Sequence, residues 1–372
     1  MSTNKPWYQV DDQRTLDSPS LLIYPERVKE NIRILKNMTG DTQKLRPHVK
    51  THKTIEATVL MMEAGISKFK CATIAEAEML GMVRAPDVLL AYQPVGPKIE
   101  RLVSLIRKYP QTNFSCLTDH IDAAGSMDAV FQSNNLQVPV YLDLNLGQNR
   151  TGIDPGDQAV SLYDSCYRMT GIKPVGLHAY DGHIRDRDFA EKKKKCDEAF
   201  ASVQHLKNTL VARGFEEPVI VVGGSPTFSI HCTRPGVECS PGTFVFWDKG
   251  YSDLCPEQSF VPAAILLGRV ISLPDSTKVC IDMGHKSVAA ENELARRVYF
   301  INAPGLRPVS QSEEHLVAEA GQDHPFKIGH VLYGIPIHVC PSIALYERAY
   351  TVENNQVTGE WKILARDRKI GV

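Results

Sequence analysis

The chain has 372 residues, 43% of them hydrophobic and 23% charged, an ordinary composition for a globular protein. Its formal net charge of −1 argues against general binding of nucleic acid or another polyanion. Nine cysteines without a CxxC pair are typical of reduced thiols, and neither a signal-peptide core nor a membrane-length apolar run is present. We therefore expect a cytoplasmic protein with no nucleic-acid and no membrane partner.

The first predicted element is a helix over residues 25–38, in which Val28, Ile32 and Leu35 recur at helical spacing. The basic stretch LRPHVKTHKT, residues 45–54, follows it. Strands with helices between them come next, and the predicted strands are KFKCATI, VLLAYQP, NFSCLT, VPVYLDLNLG, KPVGLHAYDGH and EPVIVVGGSPT. This alternation indicates βαβ units and a parallel sheet. Seven or eight units between residues 20 and 250 match the length of a (β/α)8 TIM barrel.

After about Pro256 the predicted elements change to strand-like runs broken by turns, and ENNQVTGEW is typical of a hairpin turn. The sequence therefore predicts two domains. The first is an α/β domain, a (β/α)8 barrel, over residues 20–255. The second is a C-terminal mainly β domain over residues 256–372, joined by the N-terminal residues 1–19.

Polar side chains collect at the ends of the predicted barrel strands, where barrels place their chemistry. They are His48, Lys50, His52, Gln93, Asn145, Gln148, Arg150, His178, Tyr180, Asp181, His183, Gly223, Gly224, Ser225, Thr227, Gly242 and Thr243. Their convergence on one barrel mouth carries more weight than any of them alone.

Lys50 taken alone is most simply a surface lysine. Strand alternation, however, places it on one face with Arg46 and His48. Neighbouring positive charges lower the pKa of an amine, which suits a lysine that forms a Schiff base. Lys53 is the weaker candidate because it lies where the next helix opens.

Two glycine-containing loops, residues 223–225 and 242–243, are ordinary turns when considered singly. Together, at neighbouring strand ends, they match the usual phosphate site of a barrel. His338 and Cys340 lie two residues apart on a predicted strand, so both side chains would point the same way and could hold zinc. On this pair alone, a buried cysteine beside a strand histidine is the better explanation.

The motifs RPHVKTHK, NRTGI, AYDGH, GGSPTF, PGTFVFWD, DMGHKS and HVCPS follow in order from Arg46 to Ser342. With them the chain resembles the D-threonine aldolase and eukaryotic-type D-serine dehydratase family of alanine-racemase-like, fold type III pyridoxal phosphate enzymes. The resemblance implies pyridoxal 5'-phosphate, a divalent metal with zinc favoured over manganese or magnesium, and a small D-amino acid substrate. It also implies a homodimer in which each β domain helps to close the partner's site.

The resemblance also assigns roles to individual residues. It implies that Lys50 carries the cofactor with His48 beside it, that Arg150 contacts the phenolic oxygen, and that Tyr180 lies by the pyridine ring. The implied phosphate ligands are Gly223, Gly224, Ser225, Gly242 and Thr243, and the implied metal ligands are His338 and Cys340. His183 is the candidate polar group near the substrate hydroxyl.

The favoured activity is retro-aldol cleavage of D-threonine-like substrates to glycine and an aldehyde. Cys340 stands where many aldolases of this family carry aspartate, and favours the alternative, a D-serine dehydratase. A 3-hydroxy-D-aspartate aldolase or dehydratase would use the same lysine and metal. VECSPGTF also departs from the more usual ELRPGTY, so whether Arg234 takes the place of the usual arginine stays open. A racemase is disfavoured because it needs no metal at the hydroxyl, and the extra β domain argues against a non-catalytic cofactor carrier.

Overall fold

The computed structural model describes residues 5–372, which form two compact units. The first unit comprises the residues up to Ile32, Thr51–Ala57 and Thr243–Arg366. The second comprises Arg33–Lys50, Thr58–Gly242 and Asp367–Val372. The two domains predicted above, with their boundary after residue 255, stay a prediction, because compactness does not measure which segments fold independently.

The helices are α1 (Pro25–Thr39), α2 (Ile55–Glu63), α3 (Ile74–Met82), α4 (Pro97–Lys108), α5 (Ile121–Ser133), α6 (Asp157–Tyr167), α7 (Phe189–Ala212), α8 (Phe228–His231), α9 (Lys249–Leu254) and α10 (Val339–Ile343). The strands up to residue 239 are β1 (Ser20–Ile23), β2 (Lys68–Cys71), β3 (Asp87–Leu90), β4 (Asn113–Thr118), β5 (Val138–Asp143), β6 (Ile172–Ala179), β7 (Val219–Val222) and β8 (Val237–Cys239). The remaining strands are β9 (Ala264–Ser272), β10 (Lys278–Ile281), β11 (Val298–Phe300), β12 (Arg307–Gln311), β13 (Leu316–Glu319), β14 (Val331–Pro336), β15 (Arg348–Glu353) and β16 (Gln356–Lys362).

The second unit is a parallel barrel. Strands β2 to β8 pair side by side in chain order, every pair parallel. Residues 45–49 close the cylinder, because Leu45 bridges Cys239 of β8 and His48 bridges Lys70 of β2. We call residues 45–50, which include Lys50, the closing segment. The predicted (β/α)8 barrel is thereby confirmed, although its first strand is reduced to isolated bridges.

Proline explains why the closing segment is so short. Pro47 has no N–H to donate, so it contributes only its carbonyl oxygen, which accepts from Lys70 N at 2.8 Å. On the other side, Arg46 N donates to Cys239 O at 2.9 Å. Leu45 and Val49 are fully buried, so alternate side chains of the segment anchor it in the core.

Charged residues at the amino ends of the strands form what we call the floor cluster: Arg46, Lys68, Asp87 and Glu238. The guanidinium of Arg46, only 1% exposed, donates to Asp87 Oδ1 and to Glu238 Oε2, each at 2.6 Å. Lys68 donates to the other oxygen of Glu238 at 2.6 Å. These bonds join the closing segment to β2, β3 and β8. Apolar side chains, Leu89, Leu117, Tyr141 and Val221, form a cluster inside the barrel.

The first unit is built on a nine-stranded sheet in the order β12-β13-β10-β9-β1-β15-β16, with β14 pairing β9 and β11. Strand β1 belongs to this sheet, antiparallel to β9 and parallel to β15. The predicted hairpin turn is confirmed at β15 and β16, where Asn354 and Asn355 have φ of 51° and 64°. The C-terminal part is therefore mainly β, as expected.

Within residues 5–372, no helix is both long and apolar enough to cross a membrane. All nine cysteines lie in the described part of the chain, and no disulfide joins any two of them.

Candidate active site

A pocket of about 550 Å³ opens in the barrel unit. Its lining comes from the closing segment and from the carboxyl-end regions of β2 to β6, and includes His48, Lys50, Lys70, Ala72, Ala91, Tyr92, Gln93, Val95, Leu117, Asp119, Asp143, Arg150, Thr151, His178 and Tyr180. Four residues to which the resemblance assigns a role are thus brought together, namely His48, Lys50, Arg150 and Tyr180, and the strand-end residues Gln93 and His178 join them. The volume lies within the range of small-molecule sites.

Lys50 is the last residue of the closing segment, and its side chain lines the pocket. Its backbone N–H donates to His48 Nδ1 at 3.2 Å, which leaves the proton of a neutral His48 ring on Nε2. Arg46, the third residue expected on this face, is held in the floor cluster. Alternation therefore places the three side chains inside the barrel, but at different depths.

Tyr180 forms a wall of the pocket because two glycines allow its ring to lie against the backbone. A Cβ at Gly182 would lie 2.0 Å from the Tyr180 hydroxyl, and a Cβ at Gly224 would lie 2.9 Å from ring Cε2. The guanidinium carbon of Arg150 is 5.2 Å from the centre of the ring. A flat aromatic wall with a cation beside it suits a planar, anionic ligand.

The two predicted phosphate loops also meet. Gly242 N donates to Ser225 Oγ at 3.3 Å, so the loops after β7 and β8 are in contact. Gly223 has a φ of +75°, and a Cβ there would lie 2.8 Å from His231 Cδ2, so the turn requires glycine. The glycine loops do not line the 550 Å³ pocket; Gly224 reaches it only through its contact with Tyr180. Thr243, the next residue along, belongs to the other unit.

Behind the β7 loop lies a buried cluster of three potential metal ligands, Asp181, Cys196 and His231, whose ligand atoms lie within 4.8 Å of one another. Hydrogen bonds already account for the arrangement. Arg234 Nε donates to His231 Nδ1 at 3.1 Å, and His231 Nε2 lies 2.7 Å from Asp181 Oδ2. Thr227 Oγ1 donates to Asp181 Oδ1 at 2.7 Å, which ties the loop to the strand β6 side. Arg234 thus supports the loop from behind.

A polar chain that sequence reasoning did not assemble crosses the pocket. Lys70 Nζ lies 3.3 Å from His178 Nε2, and His178 Nδ1 lies 2.7 Å from Asp143 Oδ1. Asp143 Oδ2 accepts from Thr151 Oγ1 at 2.8 Å. His178 was recognised as a strand-end residue, but Lys70 and Asp143 were missed. The available signal was a lysine set between the buried apolar residues Phe69 and Cys71 of β2.

These groups shift one another's proton affinity. Burial, together with the charge of Lys50, lowers the pKa of Lys70 to about 7. Burial and Lys70 also lower the pKa of His178. Burial would raise the pKa of Asp143, but hydrogen bonds from His178 and Thr151 hold it below its usual value. At neutral pH this polar chain therefore contains a carboxylate, a neutral imidazole and an amine whose pKa is close to the pH of the solution.

His183 lies in the loop after β6 and is exposed, not among the pocket-lining residues. A Cβ at Gly147 would lie 3.1 Å from His183 Nε2, so the ring rests on the loop that follows β5. His52 is fully buried, and burial with nearby Lys53 lowers its pKa to about 3. A neutral, enclosed His52 is a packing residue.

The predicted strand through His338 and Cys340 is wrong. Strand β14 ends at Pro336, His338 is the N-cap residue, and Cys340 lies in the first turn of α10. Pro341 explains the change, because proline suits a helix's first turn and not a ladder. The two side chains interact nonetheless. Burial would lower the pKa of His338, but the hydrogen bond and charge of Cys340, with Asp248 and Glu291, raise it to about 9.

Comparison with known proteins gives the family. The family model described as alanine racemase, N-terminal domain, matches residues 23–249, more than half of the chain. The chain belongs to the alanine racemase N-terminal domain family. A second model, described as a putative serine dehydratase domain, matches residues 263–352. Together the two models confirm the resemblance drawn from the motifs.

Relatives of this alanine-racemase-like chain include lyases of two kinds. D-threonine aldolase of an Arthrobacter species is 26% identical over 367 residues, covering 96% of this chain and 94% of the relative. The 3-hydroxy-D-aspartate aldolase of Paracoccus denitrificans is 23% identical, with the same coverage. Dehydratases match in a similar range: D-threo-3-hydroxyaspartate dehydratase of a Delftia species and D-serine dehydratase of Dictyostelium discoideum, each 24% identical.

A solved structure confirms the fold of this alanine-racemase-like chain. The crystal structure of D-threonine aldolase from Filomicrobium marinum superposes with a TM-score of 0.86 at 24% identity, covering 94% of this chain and 95% of the other. At that identity the likeness establishes architecture and not activity.

Proposed function

We propose that this protein is a pyridoxal phosphate- and divalent-metal-dependent lyase that cleaves D-threonine-like substrates to glycine and an aldehyde. The observation that carries the proposal is the pocket that gathers His48, Lys50, Arg150 and Tyr180 in an alanine-racemase-like barrel. The aldolases among its relatives support this reaction.

The pocket fits the cofactor in size and chemistry. It offers an amine at Lys50, a flat wall at Tyr180 and a cation at Arg150, and its volume of about 550 Å³ suits a pyridine ring with a substrate. The close approach of Gly224 to Tyr180 links that wall to the two glycine loops, whose backbone amides would hold the phosphate with Ser225, Gly242 and Thr243. Bound there, pyridoxal phosphate supplies an electron sink for the bond that breaks.

The residues of the chain divide the remaining work. The Lys50 amine would bind the cofactor and later hold or move a proton at its nitrogen. His48 accepts the Lys50 backbone N–H and so orients the end of the closing segment. Arg150 would face the phenolic oxygen, and the Tyr180 ring keeps water from one face of the site. His183 would exchange a proton with the substrate hydroxyl.

His338 and Cys340 fit a metal. Glu291 Oε1 lies 2.7 Å from His338 Nδ1, the carboxylate–histidine arrangement that orients a ligating imidazole through its other nitrogen. The Cys340 thiol interacts with the same histidine, and a nitrogen–sulfur donor pair favours zinc over manganese or magnesium. A metal held there supplies a Lewis acid for a substrate hydroxyl. A relative of known structure, a cysteine mutant of D-threo-3-hydroxyaspartate dehydratase, is described in a metal-free form, which supports a metal in that relative.

Product analysis tests the activity directly. The purified protein, loaded with pyridoxal phosphate and zinc, is incubated separately with D-threonine, D-serine and 3-hydroxy-D-aspartate. Glycine with acetaldehyde from D-threonine is the expected result. Keto acid and ammonia without glycine would overturn the aldolase assignment. L-threonine serves as the stereochemical control.

A D-serine or hydroxyaspartate dehydratase is the second candidate, and Cys340 is the observation that favours it. A thiol ligand directs the site toward zinc and toward the dehydratases that the chain also matches. The same incubations decide between the two reactions. We also propose that the protein is a homodimer, and sedimentation with and without cofactor would test this oligomeric state. We propose no nucleic-acid and no membrane partner.

A further inference from the structure

Lys70 is a buried amine for which the proposed reaction has no use. It lies on β2, directly across from His48 of the closing segment, and only 2% of it is exposed. Lysines are almost never buried to this extent unless a partner holds them. Yet it lines the same pocket as Lys50, so two amines serve one small site.

The hydrogen bonds of Lys70 define its orientation. Asp143 Oδ1 accepts from His178 Nδ1, so neutral His178 presents the lone pair of Nε2 to Lys70 Nζ. The amine can donate to that lone pair both as an ammonium and as a neutral amine. Its partner is therefore a neutral ring that holds Lys70 in place without requiring it to be charged.

The charged groups around Lys70 come from several elements. Lys50 and Arg46 on the closing segment disfavour its charge, whereas Asp143 at the end of β5 and Asp181 after β6 favour it. Arg46 is neutralised by Asp87 and Glu238 in the floor cluster. Arg150 faces His178, and the Tyr180 ring lies 5.8 Å from Lys70 Nζ. Lys50 is thus the nearby cation that covalent bonding to an aldehyde can remove. Burial together with Lys50 brings the pKa of Lys70 to about 7.

We propose that the charges of Lys50 and Lys70 are linked, so that Lys70 takes up the positive charge of the pocket when Lys50 becomes covalently bonded to an aldehyde. The inference rests on the proposed role of Lys50 and goes beyond it, because it gives Lys70, His178 and Asp143 a function in loading and releasing that bond. Lys70 is the proton acceptor, and His178 with Asp143 are positioning residues.

The step balances within the pocket. The Lys50 ammonium loses one proton, the neutral Lys70 amine gains one, and the freed lone pair of Lys50 attacks the aldehyde carbon. A carbon–nitrogen double bond replaces the carbonyl, and the oxygen leaves as water with the two remaining protons of the Lys50 nitrogen. When the bond is broken again, Lys70 loses a proton and Lys50 regains one. No oxidant, reductant or further reactant is required.

Titration of the holoenzyme tests the pairing without any measurement of activity. A charged Lys70 disfavours a second positive charge on the nitrogen that joins Lys50 to pyridoxal phosphate. Lys70→Gln should therefore raise, by about one pH unit or more, the pH at which the lysine-bound cofactor changes its absorbance. Lys68→Gln is the matched control: it removes the same charge from the same strand, but within the floor cluster, and should leave the transition where it is.

A second variant covers the case in which Lys70→Gln does not fold. Lys70→Arg keeps a permanent cation in place, so its transition should lie at or below that of the wild type. If the absorbance of Lys70→Gln changed at the same pH as that of the wild type, or that of Lys70→Arg at a higher pH, the proposed link between the two lysines would be overturned.

Borohydride reduction followed by peptide mapping separates this outcome from failure of the proposed function. The pyridoxyl label is expected on Lys50. Label on Lys70 or another lysine would overturn the assignment of Lys50, and the pairing with it. Label on Lys50 with an unchanged Lys70→Gln titration would overturn the pairing alone.

Discussion

At the residue scale, one short stretch shows how burial sorts side chains of similar charge. Arg46 is enclosed with two carboxylates, His48 accepts a backbone N–H, and Lys50 remains at the pocket. Strand alternation predicted their common face, because it depends only on backbone geometry. It could not predict that Arg46 meets Asp87 and Glu238, since those partners are about 40 and 190 residues away in the chain.

The assignment of the reactive lysine can be tested by a single substitution. Lys50→Ala should abolish the absorbance of the lysine-bound cofactor, because no amine remains at the end of the closing segment. Lys53→Ala, the rival in sequence, should retain it. Absorbance of both proteins after dialysis against excess pyridoxal phosphate gives the answer, and a persistent signal in Lys50→Ala would contradict the assignment.

The metal assignment calls for a different readout. In His338→Ala, the zinc content measured by atomic absorption after dialysis should fall by at least about tenfold, because the variant lacks one of the two donors. The bound cofactor should be retained, because the substitution leaves the barrel pocket unchanged. His315→Ala, an exposed histidine of the same unit, is the control and should retain metal. Equal metal content in the two variants would show that His338 is not a ligand.

At the scale of elements, periodicity predicted the regular segments well. NFSCLT corresponds to β4 residue for residue, and the helix expected over residues 25–38 is α1, Pro25–Thr39. Proline accounts for two of the departures from the predicted elements. Pro47 limits the first barrel strand to isolated bridges, and Pro341 places Cys340 in a helix. Both prolines are visible in the sequence, but the local sequence pattern does not show which strand each segment would pair with.

The loop after β7 allows a test of the close backbone approach. Gly224→Ala places a Cβ 2.9 Å from the Tyr180 ring, so the ring must shift, and cofactor affinity should fall by about tenfold or more. Gly125→Ala is the matched control, since nothing lies within 4 Å of a Cβ there. Because Gly125 lies within α5, that change should stabilise the protein by about 0.5–1 kcal/mol and leave cofactor affinity unchanged. Fluorescence titration and thermal unfolding measure the two effects.

At the scale of the whole molecule, the sequence predicted a barrel followed by a mainly β part, and both are present. Long-range assembly was beyond its reach. No strand is predicted at residues 20–23, yet β1 forms there and pairs with β9 and β15. The pocket chain of Lys70, His178 and Asp143 was missed for the same reason, since three strands contribute one member each.

Closure of the barrel depends on the floor cluster, and the cost of breaking it can be measured. Arg46→Met removes the buried guanidinium that pairs with both Asp87 and Glu238. The free energy of unfolding should therefore fall by about 3–5 kcal/mol. Arg168→Met, which breaks a surface pair with Asp164 in the same unit, should change it by less than about 1 kcal/mol. Urea unfolding compares them, and equal losses would contradict a special role for the floor cluster.

The closing segment is the seam of the cylinder, and the seam carries Lys50. Its partners are β2 and β8, the latter ending at Cys239, so the segment acquires both neighbours only after nearly two hundred further residues have been synthesised. A growing chain on the ribosome exposes this lysine early, but on a strand with one side unpaired. The cylinder that carries Lys50 therefore closes only once β8 has been synthesised.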